Sequence, residues 1–104
     1  MTLIYKILGR DEWAAAEGAG VFTGSPIDVA DGYIHFSAEG QVQETLEKHF
    51  AGRSGLVLVV VEAESLGPAL KWEPSRGGAL FPHLYGPLST GLAVSVRPVG
   101  AERP

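Results

Sequence analysis

Two short stretches of the chain carry polar side chains at a spacing of two. Tyr33, His35 and Ser37 alternate with Ile34 and Phe36. Successive strand residues face opposite sides of a sheet, so a phenol, an imidazole and a hydroxyl would line one face while Ile34 and Phe36 meet a core. A packed sheet interior does not hold such a row without partners, which makes the row the candidate site. His83 and Tyr85 share a face if residues 83–85 are extended and would form a second wall. His35 in this setting is a hydrogen-bonding anchor for ligand hydroxyls or a general base near neutral pH; the plainer reading is a buried imidazole satisfied by backbone. For His83 and Tyr85 the plainer reading is a satisfied loop histidine and an amphipathic tyrosine capping the core.

Other groups join these. Glu73 follows Trp72, and a carboxylate beside a large aromatic at a strand end reads as a raised-pKa acid or a charge set against a developing cation; otherwise it is a surface glutamate next to a core tryptophan. Arg76 precedes two glycines, which let backbone N–H groups approach an anionic ligand beside the guanidinium. Asp28 and Asp31 read as turn formers. His49 reads as a boundary core residue on a helix. His35, His83 and Glu73 are the one trio suited to a metal, but their spacing fits no compact ligand pattern. There is no Gly-x-Ser-x-Gly elbow, no phosphate loop and no dinucleotide fingerprint. With no cysteine there is no disulfide, thiolate metal site or thiol nucleophile.

These residues need elements to hold them. Leu3 to Leu8 reads as a first strand with Ile4, Lys6 and Leu8 on one face, Lys6 near a rim. Asp11 is positioned to cap a short helix over residues 12–17 that Gly18 and Gly20 end. Val21-Phe22-Thr23 reads as a short strand, and residues 24–32 as a polar loop leading through Asp31-Gly32 into the strand at 33–37. Ser37 is a candidate cap for a helix from about 38 to 50, its apolar stripe being Val42, Leu46, His49 and Phe50. Leu56 to Val61 is β-branched without polar alternation, a strand buried on both faces and the central one. Residues 62–68 connect to extended structure at 70–73. Pro82 and Pro87 predict an irregular path over 80–88. Residues 92–97 form a last strand, and 98–104 should fray. About six strands with two helices make an α+β domain.

A chain of 104 residues buries one core, so residues 1–104 form a single domain with its core at about 3–97. A net charge of −4 argues against a nucleic-acid partner. No apolar run is long enough to span a bilayer, and no secretory signal opens the sequence, so a cytoplasmic location and a monomer are the expectations.

Tyr5-Lys6-Ile7, Trp13, Asp31-Gly32-Tyr33-Ile34-His35-Phe36-Ser37, Gln41, Thr45, Trp72-Glu73 and Phe81-Pro82-His83-Leu84-Tyr85-Gly86 together resemble the bacterial domain-of-unknown-function family numbered nine hundred and fifty-two, from Ile4 to about Val96. That family has no established activity. Its fold is grouped with the ADP-ribosyltransferase-like superfamily, which implies two small, packed, mainly antiparallel sheets with two flanking helices and a cleft for NAD between the sheets. His35-Phe36-Ser37 is similar to the superfamily's His-Gly-Ser strand, whose histidine binds a ribose and whose glycine backbone holds the nicotinamide amide. Phe36 is the departure. The resemblance implies that His35 orients a ribose, that Tyr85 stacks on a flat ring and that Glu73 or another acid stabilises an oxocarbenium-like centre; with the residue readings above, His35, Glu73 and His83 are the candidate catalytic groups and Tyr33, Ser37, Arg76 and Tyr85 the candidate ligand-binding groups. NAD is the candidate ligand, for ADP-ribosyl transfer or NAD-glycosidic cleavage. A non-catalytic cleft for another nucleotide or metabolite is the alternative, and purely structural histidines the third reading.

Overall fold

A β-branched run without polar alternation needs cover on both faces, and strand β5 (Leu56–Glu62) receives it. The computed structural model describes residues 1–99, the side chain of Arg76 excepted. In it β5 pairs antiparallel with β1 (Leu3–Gly9) and β9 (Ala93–Pro98), and β4 (Ser37–Ala38) extends the sheet beyond β1, giving the order β4-β1-β5-β9. Val57, Val59 and Val61 meet Ile4 and Leu8 in the main core, which Trp13 and Ala16 of α1 (Arg10–Ala19) help to close. On the opposite face Leu56, Leu58 and Ile7 are covered by Val42 and Leu46 of α3 (Val42–His49) and by Phe50. The predicted apolar stripe therefore packs as expected, except that His49 is exposed.

A second sheet has the order β3-β7-β6, from Ile34–His35, Ala79–Leu84 and Leu70–Ser75, and β2 (Val21–Phe22) pairs with β8 (Leu88–Ser89) in a separate ribbon. The fold is thus α+β with small antiparallel sheets, three of them where two were expected. The extra division falls inside the 33–37 stretch. Ile34 and His35 pair with β7, Ser37 and Ala38 pair with β1, and Phe36 between them donates its N–H to the Pro82 carbonyl at 3.0 Å. One short segment hands the chain from one sheet to the other. Strand β7 stays regular through Pro82, so the expected irregular path is confined to residues 85–87 before Leu88. A strand residue's N–H and C=O point the same way, so the missing donor lies on the Phe36 side, past the end of the two-residue β3 ladder, and costs no bond to β6.

The 24–32 loop is also a correction, because it holds a helix, α2 (Pro26–Asp31). Ser25 caps it, Pro26 supplies a ready-made first-turn φ, and Asp28 accepts the Ser25 N–H at 2.8 Å. Gly32, at φ 92, ends it. The other caps shift similarly. Glu12 rather than Asp11 serves α1, accepting the Gly9 N–H at 3.1 Å, and Gln41 rather than Ser37 accepts the Ala38 N–H at 2.8 Å. Pro98 closes β9 and Val99 donates to Leu56 at 2.9 Å, so neither frays; residues 100–104 lie outside those described. Among the described residues no helix is long and apolar enough to cross a membrane.

Two glycine substitutions should act in opposite directions. Gly24 has φ +118, and a Cβ there would stand 2.9 Å from the Asp28 Cβ, whereas a Cβ on Gly18 of α1 meets nothing within 4 Å. Gly24→Ala is expected to cost about 2 kcal/mol or more, and Gly18→Ala to gain roughly 0.5 kcal/mol from helix propensity. Urea unfolding of both variants checks this; an unchanged Gly24→Ala midpoint would contradict the close approach.

Candidate functional site

The antiparallel register of β3 and β7 sets His35 directly opposite His83, and their ring centroids lie 5.7 Å apart, edge to face. Tyr33, just before β3, stacks on His83 at 4.2 Å and reaches His35 at 4.6 Å and Tyr85 at 5.2 Å. Glu73 on β6 completes the group, its Oε1 accepting from His83 Nδ1 at 2.8 Å and from the Tyr85 hydroxyl at 2.7 Å. Tyr33, His35, Glu73, His83 and Tyr85 thus stand in one cluster. Of the two functional readings of Glu73, the raised-pKa acid is overturned. The hydrogen bonds from His83 and Tyr85 hold this carboxyl below its ordinary range despite some desolvation, so it is not a raised-pKa acid, and Trp72 beside it is 40% exposed rather than core. The same bond to Glu73, with help from burial, pushes the Tyr85 phenol up to about 12. Burial, then the charges of Asp31 and Glu73, raise Tyr33.

Behind His35 lies a carboxylate that the sequence reading took for a turn former. Asp28 is 2% exposed, and its two oxygens accept from four donor atoms, Lys6 Nζ reaching both. Oδ1 takes His35 Nδ1 at 2.6 Å, the His35 N–H at 3.1 Å and Lys6 Nζ at 3.0 Å. Oδ2 takes the Ser25 N–H at 2.8 Å and Lys6 Nζ at 2.8 Å. Burial alone would raise this carboxyl; the His35 hydrogen bond and Lys6 outweigh it and hold Asp28 at about 2. Lys6, expected near a rim, is instead 4% exposed, and burial lowers its ammonium below the ordinary range although Asp28 opposes the shift. Asp31, the other supposed turn former, ends α2 and meets the far side of the imidazole, Oδ2 to Nε2 at 2.9 Å.

Signals for these residues were present. Lys6 alternates with Ile4 and Leu8 and so had to share their core face, where a charge requires a partner. Ser25-Pro26-x-Asp28 is a helix start with a capping residue at its third position. What the sequence could not supply is that this helix docks against β1.

A cleft of about 1070 Å³ opens along these residues, its wall including Asp31, Tyr33, His35, Ser37 and His83. Arg10, at the start of α1, and Arg53 border the same cleft, Arg53 lying 5.1 Å from the centroid of the Phe50 ring. Glu73 and Tyr85 stand outside the wall and reach it through His83 and Tyr33. Ser37 is buried and its hydroxyl is 3.0 Å from that of Thr45, which donates to the Gln41 carbonyl. The Arg76 side chain lies outside the described residues; its backbone makes a tight turn between β6 and β7. Among the described residues no three His, Asp or Glu side chains converge to hold a metal ion.

Residues 7–96 match the model of the family described as protein of unknown function (DUF952). The chain belongs to the DUF952 family. The crystal structure of protein CC0527 from Caulobacter crescentus is 59% identical, covers 91% of this chain and 83% of its own, and superposes with a TM-score of 0.89. Its solution NMR structure, again 59% identical over 92% of this chain and 83% of its own, gives 0.83. No curated protein matches. The α+β architecture above is thus shared with CC0527.

Two titrations follow from the site's electrostatics. Asp28 is depressed to about 2 from an ordinary 3.8, so its contribution is complete above the ordinary value and is lost as pH falls through about 2, a loss of about 2 kcal/mol. Urea midpoints between pH 6 and pH 2, with a carboxyl 13C titration of Asp28, test this; an Asp28 that titrates at or above its ordinary value would contradict the network. At the other extreme, one of the three tyrosines should ionise only near pH 12. Ultraviolet difference spectra should show that late step, and Glu73→Gln should bring it down by removing the charged acceptor.

Proposed function

We propose that the cleft binds a nucleotide-class metabolite of the NAD or ADP-ribose kind, with His35 as its polar anchor and Tyr33 as its stacking face. The observation that carries this reading is a single aromatic and imidazole wall, Tyr33, His35 and His83, in a cleft that two guanidinium groups also border. Its volume is that of small-molecule sites. Tyr33 offers a π-face to a base, and Arg10 and Arg53 suit phosphates in a chain whose overall charge is −4. The likeness of His35-Phe36-Ser37 to the His-Gly-Ser strand of ADP-ribosyltransferase-like proteins supports the same ligand class. The Phe36 ring is 2% exposed and packed in the main core, and the residue also lines the cleft.

NAD-glycosidic cleavage or ADP-ribosyl transfer is the second reading, favoured by the paired imidazoles. Against the superfamily's pattern, the Phe36 N–H already donates to Pro82 and is not free for a nicotinamide amide. Glu73 sits outside the cleft wall, so in this reading it is a positioning residue that holds His83 by Nδ1. Hydrolysis would take NAD and water to ADP-ribose, nicotinamide and a proton.

Titration of the histidine ring signals with NAD and with ADP-ribose tests both readings. Saturable shifts at His35 and His83 are expected, lost in His35→Ala. No shift at millimolar ligand, where even weak binding of roughly 4 kcal/mol would register, would remove the nucleotide reading. Release of nicotinamide in the same samples separates catalysis from binding.

A further inference from the structure

The two carboxylates on His35 are not equivalent. Asp28 is built in: its side chain is 1% exposed, Lys6 balances its charge, and its acceptor positions are filled by Ser25, Lys6 and His35. An ionised acceptor on that side makes Nδ1 a donor and fixes the ring's orientation. The remaining nitrogen, Nε2, belongs to the cleft side, where Asp31 meets it at 2.9 Å. Asp31 is a surface group, its side chain 44% exposed and that of His35 31%. As the last residue of α2 it also does nothing for the helix, since a carboxylate there faces the negative end of the peptide dipoles.

A neutral imidazole donates from one nitrogen only, so with Nδ1 committed to Asp28 a hydrogen bond from Nε2 to Asp31 needs the ring doubly protonated. The positive charge then has Lys6–Asp28 behind it, already neutral as a pair, and Asp31 in front. The front position is a donor site occupied by a carboxylate oxygen of the chain itself.

We propose that His35 Nε2 is the recognition point for an anionic ligand oxygen, such as that of a phosphate, and that Asp31 is its built-in competitor, displaced into solvent when the ligand enters. The proposal rests on the cleft being a binding site, and it adds which atom meets the ligand and which residue must leave. Displacement is easy because Asp31 is exposed and its loss leaves the Lys6–Asp28–His35 arrangement intact. The competitor also confers selectivity: a neutral hydroxyl is a weaker acceptor than the carboxylate it would have to replace, whereas a phosphate oxygen is at least its equal, so in a nucleotide His35 meets a phosphate oxygen and not the ribose hydroxyl that the superfamily's histidine binds.

The test uses inorganic phosphate as probe, at about pH 6, near the ordinary imidazole value, with the full chain and ring-proton and 15N signals of His35 as readout. Asp31→Asn and Asp31→Ala should each bind phosphate about ten-fold more tightly than the unmodified chain, as expected when a charged hydrogen-bond competitor is removed. His35→Gln placed on Asp31→Ala should abolish that binding. Affinity in the Asp31 variants no tighter than in the unmodified chain, absence of phosphate binding throughout, or binding that survives His35→Gln would each overturn the proposal. Retained thermal stability of the Asp31 variants, together with unchanged Asp28 carboxyl signals, confirms that the site behind His35 is intact. The nucleotide reading fails separately: phosphate binding in Asp31→Ala with no response to NAD or ADP-ribose would keep the anion site and discard the nucleotide.

Discussion

The carboxylate of Asp28 is the point on which the arrangement depends. It takes hydrogen bonds from Lys6 in the first sheet, from the backbone of Ser25 at the start of α2, and from both the backbone and the ring of His35 in the second sheet. Bringing an ammonium and a carboxylate out of water costs several kcal/mol per ion unless the geometry satisfies them almost completely. Here it does, and the consequence is directional. An apolar pair of the same volume could join β1 to α2, but it could not orient an imidazole. The close approach of Gly24 to Asp28 belongs to the same requirement, since only a residue without a side chain lets the backbone pass this near.

Two imidazoles are held by carboxylates at Nδ1, His35 by Asp28 and His83 by Glu73, and the two pairs are reversed in burial. For His35 the acid is buried and the ring partly exposed; for His83 the ring is buried, 5% exposed, and the acid is 35% exposed. The first pair presents a ring nitrogen to the cleft with its orientation fixed from behind. The second fixes a ring as a wall, with Tyr33 stacked on it. Similar chemistry thus yields a partly exposed, oriented ring in one place and a buried one in the other, and the difference lies in which partner the fold covers.

Much of this was legible from periodicity. Alternation at β1 and the unbroken apolar run at β5 follow from burial alone, and a spacing of two at 33, 35 and at 83, 85 was enough to bring the imidazoles and phenols to one face. The failures share a physical cause. Short elements such as α2, β3 and β4 are stabilised by tertiary contacts rather than by their own propensity, so the sequence around Asp28 looked like a loop and the 33–37 stretch like one strand. Trp72, which only the plainer reading of Glu73 places in the core, lies on the edge strand β6 and is 40% exposed. The roles of Lys6 and Asp28 needed knowledge of a contact between residues 22 positions apart.

Phe36 shows how the fold constrains recognition. In the strand it resembles, a glycine at this position leaves its backbone available to a ligand. Here the segment must cross between sheets at that residue, so the N–H is used on Pro82 and the side chain fills the core beneath the crossing. Restoring glycine would remove a ring from the main core, a loss of the order of 3 kcal/mol or more, without freeing the N–H, because its bond to Pro82 is set by the register of β3 on β7 rather than by the side chain. A ligand in this cleft would therefore meet side chains in place of that backbone, among them His35, whose orientation the buried Asp28 fixes.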